Sequence, residues 1–134
     1  MINSGLRYSM GKNNLRESIY AFNRHDVVAT YDLDMDTWHP NRAKMASIIC
    51  EILPFHRDQQ IRFLDLGVGT GYLSFRILET YPHATITATD AAELMADKAK
   101  LRLREHLKQV TFCISTFQEL PQKENAFSNL DAVV

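Results

Sequence analysis

Three glycines and an aspartate form the pattern in this sequence that is best suited to binding a ligand. The segment FLDLGVGTG places Gly67, Gly69 and Gly71 at alternate positions, two residues after Asp65 and at the end of an apolar run. A glycine has no Cβ to keep a ligand away from the backbone, and the first N–H groups of a helix are unpaired donors. The segment therefore predicts a loop that holds a carboxylate or phosphate against backbone amides.

Asp90 supplies the second part of the pattern, because it directly follows the β-branched run ATITAT. A carboxylate at the end of the strand after a glycine loop can accept hydrogen bonds from both hydroxyls of a ribose. A helix is predicted immediately after Asp90, so its side chain can also cap that helix, and the two roles can coexist. The pattern predicts a nucleoside ligand.

The spacing of the glycines distinguishes between nucleoside ligands. The dinucleotide fingerprint G-x-G-x-x-G requires a third glycine where Tyr72 stands, and the observed pattern is G-x-G-x-G. This departure disfavours NAD. An NAD-binding oxidoreductase fragment and a non-catalytic nucleotide-binding or regulatory module stay open as alternatives.

Strands and helices alternate from residue 60 onward. The predicted strands are Ile61–Leu66, Ala84–Thr89, Val110–Ser115 and Leu130–Val134, and the predicted helices are Gly71–Tyr81 and Ala91–Leu107. Strands joined by helices form right-handed βαβ units with a parallel sheet. We therefore predict an α/β fold with a doubly wound parallel sheet of strand order 3-2-1-4, truncated after the fourth strand.

Helices are also predicted before the sheet. We predict a loose arm over residues 1–15 and a helix over Leu15–Tyr31. An acidic, turn-like stretch over 32–41 then precedes a second helix over Asn41–Leu53. We divide the chain into an N-terminal arm and helix, 1–40, and an incomplete ligand-binding domain, 41–134. Because the strand over 130–134 would form an unpaired sheet edge, a homodimer through that edge is expected.

Composition excludes several classes of function. Fifteen Lys and Arg balance sixteen Asp and Glu among 134 residues, and this predicts neither nucleic-acid nor membrane binding. Cys50 and Cys113 are far apart, which favours reduced thiols and a cytoplasmic location. The histidines are scattered, and Asp32, Asp34 and Asp36 lack the glycine and closing acid of a calcium loop, so no metal site is predicted.

Three segments resemble the motifs of the class I S-adenosylmethionine-dependent methyltransferase family. DLGVGTG (65–71) matches its D-x-G-x-G-x-G motif, TDAAELMADKAK (89–100) is similar to its second motif, and VTFCISTFQELP (110–121) is similar to its third region. The resemblance covers about residues 41–134. It implies a Rossmann-like fold and methyl transfer from S-adenosylmethionine, with this chain supplying the cofactor-binding half. The nearly neutral charge and the absence of a nucleic-acid motif favour a small-molecule acceptor.

The resemblance also implies roles for the residues of the glycine segment. Gly67, Gly69 and Gly71, with Val68 among them, would line the methionine and ribose part of the cofactor. Asp65 would orient that loop and reach the methionine amino group through water; the alternative is a strand-end carboxylate bonded within the loop.

The second and third segments would bind the adenosine. Asp90 would bind the ribose, with Ala91 beside it, and Met95 would flank the adenine unless it belongs to the core. Thr116 stands where the family usually has an aspartate for the adenine amino group, and the Phe117 N–H would meet a ring nitrogen.

Outside these segments, Arg42 is a candidate partner for the cofactor carboxylate. No catalytic residue is predicted, since a direct methyl displacement depends mainly on holding donor and acceptor in line.

Overall fold

A computed structural model describes residues 12–120 and 127–134, with side chains from residue 16 onward. The helices are α1 (Lys12–Phe22), α2 (His25–Trp38), α3 (Arg42–Ile52), α4 (Tyr72–Thr80) and α5 (Glu93–Arg102), with a 3₁₀ helix over Arg104–Gln109. The strands are β1 (Arg62–Leu66), β2 (Thr85–Asp90), β3 (Val110–Ile114) and β4 (Ala132–Val133).

The four strands form one parallel sheet in the order β3-β2-β1-β4. The register places Leu64 of β1 beside Thr87 of β2 and Val133 of β4. This arrangement confirms the predicted fold class and strand order. Because β1 lies inside the sheet and the glycine loop follows it, the loop is at the carboxyl edge, where doubly wound sheets bind ligands.

The core lies between one face of the sheet and helices α4 and α5. Phe63, Ile86 and Val110 stand side by side on β1, β2 and β3, and all three are buried. Ile77 of α4 and Ala99 of α5 pack into the same cluster. Burying these apolar side chains is the main contribution that holds the strand ends in position.

The prediction for the N-terminal region was wrong in three places. Two helices, α1 and α2, replace the single helix over Leu15–Tyr31, and the acidic stretch from Asp32 onward is helical up to Trp38. Residues 12–15, predicted as the end of a loose arm, belong to α1. The chain leaves the helix at Asn23, whose side-chain oxygen accepts a hydrogen bond from Leu94 N at the start of α5 (3.0 Å). The first eleven residues of the predicted arm lie outside the described residues.

One local and one distant contact support the helical state of the acidic stretch. The Asp34 carboxylate accepts a hydrogen bond from the Thr30 hydroxyl at 2.8 Å, and the Asp32 carboxylate forms an ion pair with Arg102 of α5. These partners offset the cost of placing three acids along one helix.

The helix predicted over Ala91–Leu107 ends earlier, at Arg102. The Gln109 side-chain amide donates to the carbonyls of Pro82 and Ala84, at 2.9 Å each. These bonds hold the end of the 3₁₀ helix against the segment before β2, so β3 enters the sheet beside β2. None of the helices in the described part of the chain is long and apolar enough to span a membrane.

Candidate functional site

The glycine loop is fixed by hydrogen bonds to the end of β2. The N–H groups of Gly67 and Val68 both donate to the carbonyl of Thr89, at 2.9 and 2.8 Å. The N–H of Gly69 donates to Asp90 Oδ2 at 2.8 Å. Gly67, Gly69 and Gly71 have φ angles of +80°, +54° and +77°, which other L residues rarely adopt. The loop is therefore rigid and needs glycine for its backbone shape.

Asp90 connects the loop to two other elements. Its Oδ1 accepts a hydrogen bond from Ala92 N at 2.8 Å, just before α5, and its carbonyl accepts one from Ser115 N after β3 at 2.9 Å. Each carboxylate oxygen has a second lone pair, so these backbone bonds leave acceptor capacity for a ligand. The Asp90 side chain thus serves the start of the helix and also faces a cavity.

That cavity is the smaller of two that meet at the glycine loop, with a volume of about 170 Å³. It brings together the predicted residues Gly67, Asp90, Ala91, Thr116 and Phe117. Its remaining lining residues include three from α1, namely Ser18, Ile19 and Phe22. Sequence reasoning missed this α1 wall; the apolar spacing of Ile19 and Phe22 was the available signal, and it did not say which surface they would meet.

The larger cavity has a volume of about 400 Å³ and lies on the other side of Gly67. The loop lines it through Gly67, Val68, Gly69 and Thr70, and α2 and α3 form the opposite wall with Tyr31, Met35, His39, Arg42, Met45, Ala46 and Ile49. The volume is in the range of small-molecule sites, which are mainly apolar with a few polar groups. Gly67 lines both cavities, so the two adjoin at its backbone.

Arg42 is the predicted cofactor-carboxylate partner, and the structure places it at the wall of the larger cavity. Its guanidinium lies 4.1 Å above the ring of Tyr72 and forms ion pairs with Asp32 and Asp36, at 3.1 and 3.2 Å. The stacked position keeps its charge beside the loop.

Asp65 lies behind the loop, outside the lining of both cavities. It is 4% exposed and accepts a hydrogen bond from the Ser74 hydroxyl of α4 at 2.6 Å. Burial raises the pKa of Asp65 to about 6, the Ser74 bond opposes that rise, and the charge of Asp90 adds to it. This position favours the loop-orienting role over direct contact with a ligand.

Two other predicted site residues are part of the protein packing instead. A Cβ added at Gly71 would lie 3.1 Å from the Cβ of Ala99, so this glycine allows α5 to approach the loop closely. Met95 is 2% exposed and packs with Val28 and Ala92 between α2 and α5. Neither residue reaches a cavity wall, because Gly71 packs against α5 and Met95 packs from α5 against α2.

Comparison with known proteins identifies the family. The sequence profile of a family described as "Methyltransferase domain" matches residues 63–133, more than half of the chain. The chain is 43% identical over 66 residues to the malonyl-[acyl-carrier protein] O-methyltransferase of Bacillus cytotoxicus, covering 49% of this chain and 22% of that protein. It is 36% identical over 84 residues to the enzyme of the same name from Bacillus cereus, covering 61% and 30%.

Solved structures show the same fold. A precorrin-6y C5,15-methyltransferase from Geobacter metallireducens superimposes with a TM-score of 0.55 at 16% identity, covering 67% of this chain and 46% of that one. A Geobacter sulfurreducens S-adenosylmethionine-dependent methyltransferase, solved with S-adenosyl-L-homocysteine, gives 0.51 at 23% identity, covering 66% and 35%. The chain spans between 22% and 35% of the length of the curated relatives described by the same name. It belongs to the class I methyltransferase family.

Proposed function

We propose that this chain binds S-adenosylmethionine across its two cavities and provides the cofactor-binding part of a methyltransferase. One observation carries the proposal: the Asp90 carboxylate lines the smaller cavity, and the Cβ-free backbone of Gly67 lines both cavities. A Cβ at Gly67 would enter open space, since its nearest neighbour would be Phe117 Cζ, of the smaller cavity, at 4.0 Å. The residues present therefore fit an adenosyl group with an amino-acid arm.

In this arrangement the adenosine occupies the smaller cavity. Its ribose hydroxyls donate to the lone pairs of Asp90 that the backbone leaves available. Ala91, Phe117 and the α1 residues Ile19 and Phe22 provide apolar contacts for the adenine faces, and Thr116 replaces the usual acid at its edge.

The amino-acid arm extends past Gly67 into the larger cavity, where Val68 and Gly69 line the loop side. Arg42 is at the opposite wall and pairs with the arm's carboxylate. The bound cofactor supplies a methyl group on a positively charged sulfur. The protein's contribution is to hold that group in line with an acceptor.

The acceptor completes the proposal. The larger cavity has apolar walls formed by Met35, Met45 and Ile49, and this favours a small-molecule acceptor with an apolar part.

We retain the division into 1–40 and 41–134, with α1 and α2 of the first segment covering the cavities of the second. We also retain a cytoplasmic location, no nucleic-acid or membrane partner, and pairing of two copies through the β4 edge.

Calorimetric titration with S-adenosyl-L-homocysteine tests the proposed ligand. We expect binding by the wild type and a loss of about thirty- to hundredfold in Asp90→Ala, because deleting a charged acceptor of two hydrogen bonds costs on the order of 2–3 kcal/mol. Asp97→Ala is the matched control: Asp97 is exposed on α5 and pairs with Lys100, so its loss should leave the affinity unchanged.

A parallel titration with NADH separates the main alternative. NADH binding without S-adenosylhomocysteine binding would replace the proposal with a dinucleotide-binding role. Equal S-adenosylhomocysteine affinities for wild type and Asp90→Ala would show that Asp90 does not hold the ribose. Once binding is established, an assay for methyl transfer separates a methyltransferase from a non-catalytic module.

A further inference from the structure

Asp32 of α2 is the centre of an ion-pair cluster that joins four elements. Its carboxylate lies 2.8 Å from Arg102 Nη2 and 3.6 Å from Lys98 Nζ, both on α5. It also lies 3.1 Å from Arg42 Nη2 on α3. The fourth partner is the glycine loop, since the Thr70 hydroxyl donates to Asp32 Oδ1 at 2.7 Å.

The Asp32 carboxylate therefore pairs with three cations, of which Arg42 also pairs with Asp36. Asp32 and these three cations are between 18% and 28% exposed. Burial by itself would raise the pKa of Asp32, but the hydrogen bonds from Thr70 and Arg102 and the nearby positive charges outweigh it and hold that pKa below its usual value. Asp32 thus stays ionised while its partners hold it in one geometry.

The cluster fixes Thr70 from two directions. Besides its bond to Asp32, Thr70 receives hydrogen bonds from Arg102 Nη1 at both its carbonyl (3.0 Å) and its hydroxyl (2.9 Å). Thr70 is 2% exposed and stands between Gly69 and Gly71. The part of the loop that lines the larger cavity is therefore tied to α2 through a single carboxylate.

The same helix forms the opposite wall of that cavity. Tyr31 is adjacent to Asp32 in the chain, Met35 lies one turn further along α2, and His39 directly follows the helix; all three line the larger cavity. The distance between the loop and this wall thus depends on the Asp32–Thr70 contact. Buried ion pairs add little net stability relative to apolar packing, so their clearest contribution here is to hold one arrangement.

We propose that Asp32 is a positioning residue for the cofactor: it docks α2 on the glycine loop and sets the width of the larger cavity. This rests on the proposed function. Asp32 lies outside the lining of both cavities and acts through Thr70, Arg102 and Arg42.

The test is a double-mutant cycle of Asp32→Asn and Thr70→Val, read as affinity for S-adenosyl-L-homocysteine below the unfolding temperature of every variant. We expect Asp32→Asn to weaken binding about fivefold to thirtyfold. This lies within the range of coupling that is typical of two residues in contact, here Asp32 and Thr70. Thr70→Val removes the hydroxyl with little change in shape and should weaken binding less. In the Asp32→Asn background, Thr70→Val should cause a smaller further loss, because the uncharged amide oxygen accepts from the Thr70 hydroxyl more weakly than the carboxylate does.

Asp34→Asn is the matched control, since Asp34 is on the same helix and its carboxylate bonds to Thr30 of that helix. Its affinity should equal that of the wild type. A purely structural cluster would lower the urea midpoint of Asp32→Asn while leaving the affinity of the folded protein intact, and that result would overturn the proposal. Independent, additive losses from the two substitutions would also overturn it.

Two further results keep the tests separate. If Asp32→Asn does not fold, Thr70→Val alone decides, because it leaves all charges in place; unchanged affinity there would overturn the proposal. If the wild type itself does not bind S-adenosylhomocysteine, the proposed function fails first, and the role of Asp32 toward this cofactor fails with it.

Discussion

The two ends of the glycine loop differ although both are glycines. We call the end at Gly67, which lines the cavities, the front, and the end at Gly71, which packs against α5, the back. Gly67 and Gly71 have φ angles of +80° and +77°. At Gly67 an added Cβ would meet a first neighbour at 4.0 Å, whereas at Gly71 it would meet three atoms of Ala99 and Leu103 at 3.1 to 3.3 Å. The first glycine leaves space for a ligand and the last allows close helix packing, so one motif serves two physical requirements.

The two carboxylates of the motif differ in the same way. Asp90, on the front, faces the smaller cavity and bonds to backbone amides. Asp65, on the back, is buried against Ser74. We therefore expect substitutions on the back to change stability and those on the front to change affinity.

Gly71→Ala should have the largest effect on the free energy of unfolding. The left-handed backbone and the overlap with α5 together should cost about 2–5 kcal/mol. Urea denaturation followed by circular dichroism measures this loss. Gly67→Ala is the matched control, because it carries the same backbone cost without the overlap; equal losses in the two variants would contradict the distinction between front and back.

Asp65→Asn should stabilise the protein at neutral and higher pH. The folded protein holds the Asp65 proton up to a pKa of about 6, against an ordinary value of 3.8, so ionisation opposes folding. That penalty appears as pH rises above 3.8, grows until about 6 and is constant beyond it. It amounts to about 3 kcal/mol at most.

Urea midpoints of wild type and Asp65→Asn at pH 4 and pH 8 measure this effect. We expect the variant to be more stable at pH 8 and equal to the wild type at pH 4. Asp58→Asn, at an exposed loop position, should show no such difference. A variant that is less stable at both values would mean that the ionised carboxylate is needed to hold Ser74.

Gly67→Ala should lower both stability and affinity. The left-handed backbone costs about 1–2 kcal/mol of the free energy of unfolding. The added methyl group would lie 4.0 Å from Phe117 Cζ of the smaller cavity, where we expect at least about a tenfold loss of S-adenosylhomocysteine affinity, or about 1.4 kcal/mol. Calorimetry on the folded variant measures this, and unchanged affinity would remove Gly67 from the proposed site.

Asn23→Ala should have the smallest effect. It removes the acceptor that Asn23 provides for Leu94 N at the start of α5, and losing such a cap costs about 1 kcal/mol. Thermal unfolding measures it. Asn41→Ala is the control, because Asn41 precedes α3 without capping it through its side chain. A similar loss in both variants would show that the Asn23 bond does not hold α1 to α5.

Much of the sheet domain was predictable from the sequence. Strand β1, the loop and β2 follow from an apolar run, closely spaced glycines and a β-branched run, and short-range chemistry determines all three. The placement of Asp90, Ala91, Thr116 and Phe117 around one cavity also agrees with expectation, because parallel strands end at a common edge. The helical state of Asp32–Trp38 was not predictable, since it depends on partners that are distant in the chain.

The sequence by itself determined where the backbone needs glycine, at Gly67, Gly69 and Gly71, and which carboxylate lies at the end of a strand, that of Asp90. Those requirements are local, because φ angles and strand alternation depend on neighbouring residues. Tertiary structure decided that Gly71 packs against α5, that α1 closes the smaller cavity, and that Asp32 meets Thr70 and Arg102. These contacts join residues up to 70 positions apart. No local pattern encodes such pairings, because they exist only after the helices have docked on the sheet.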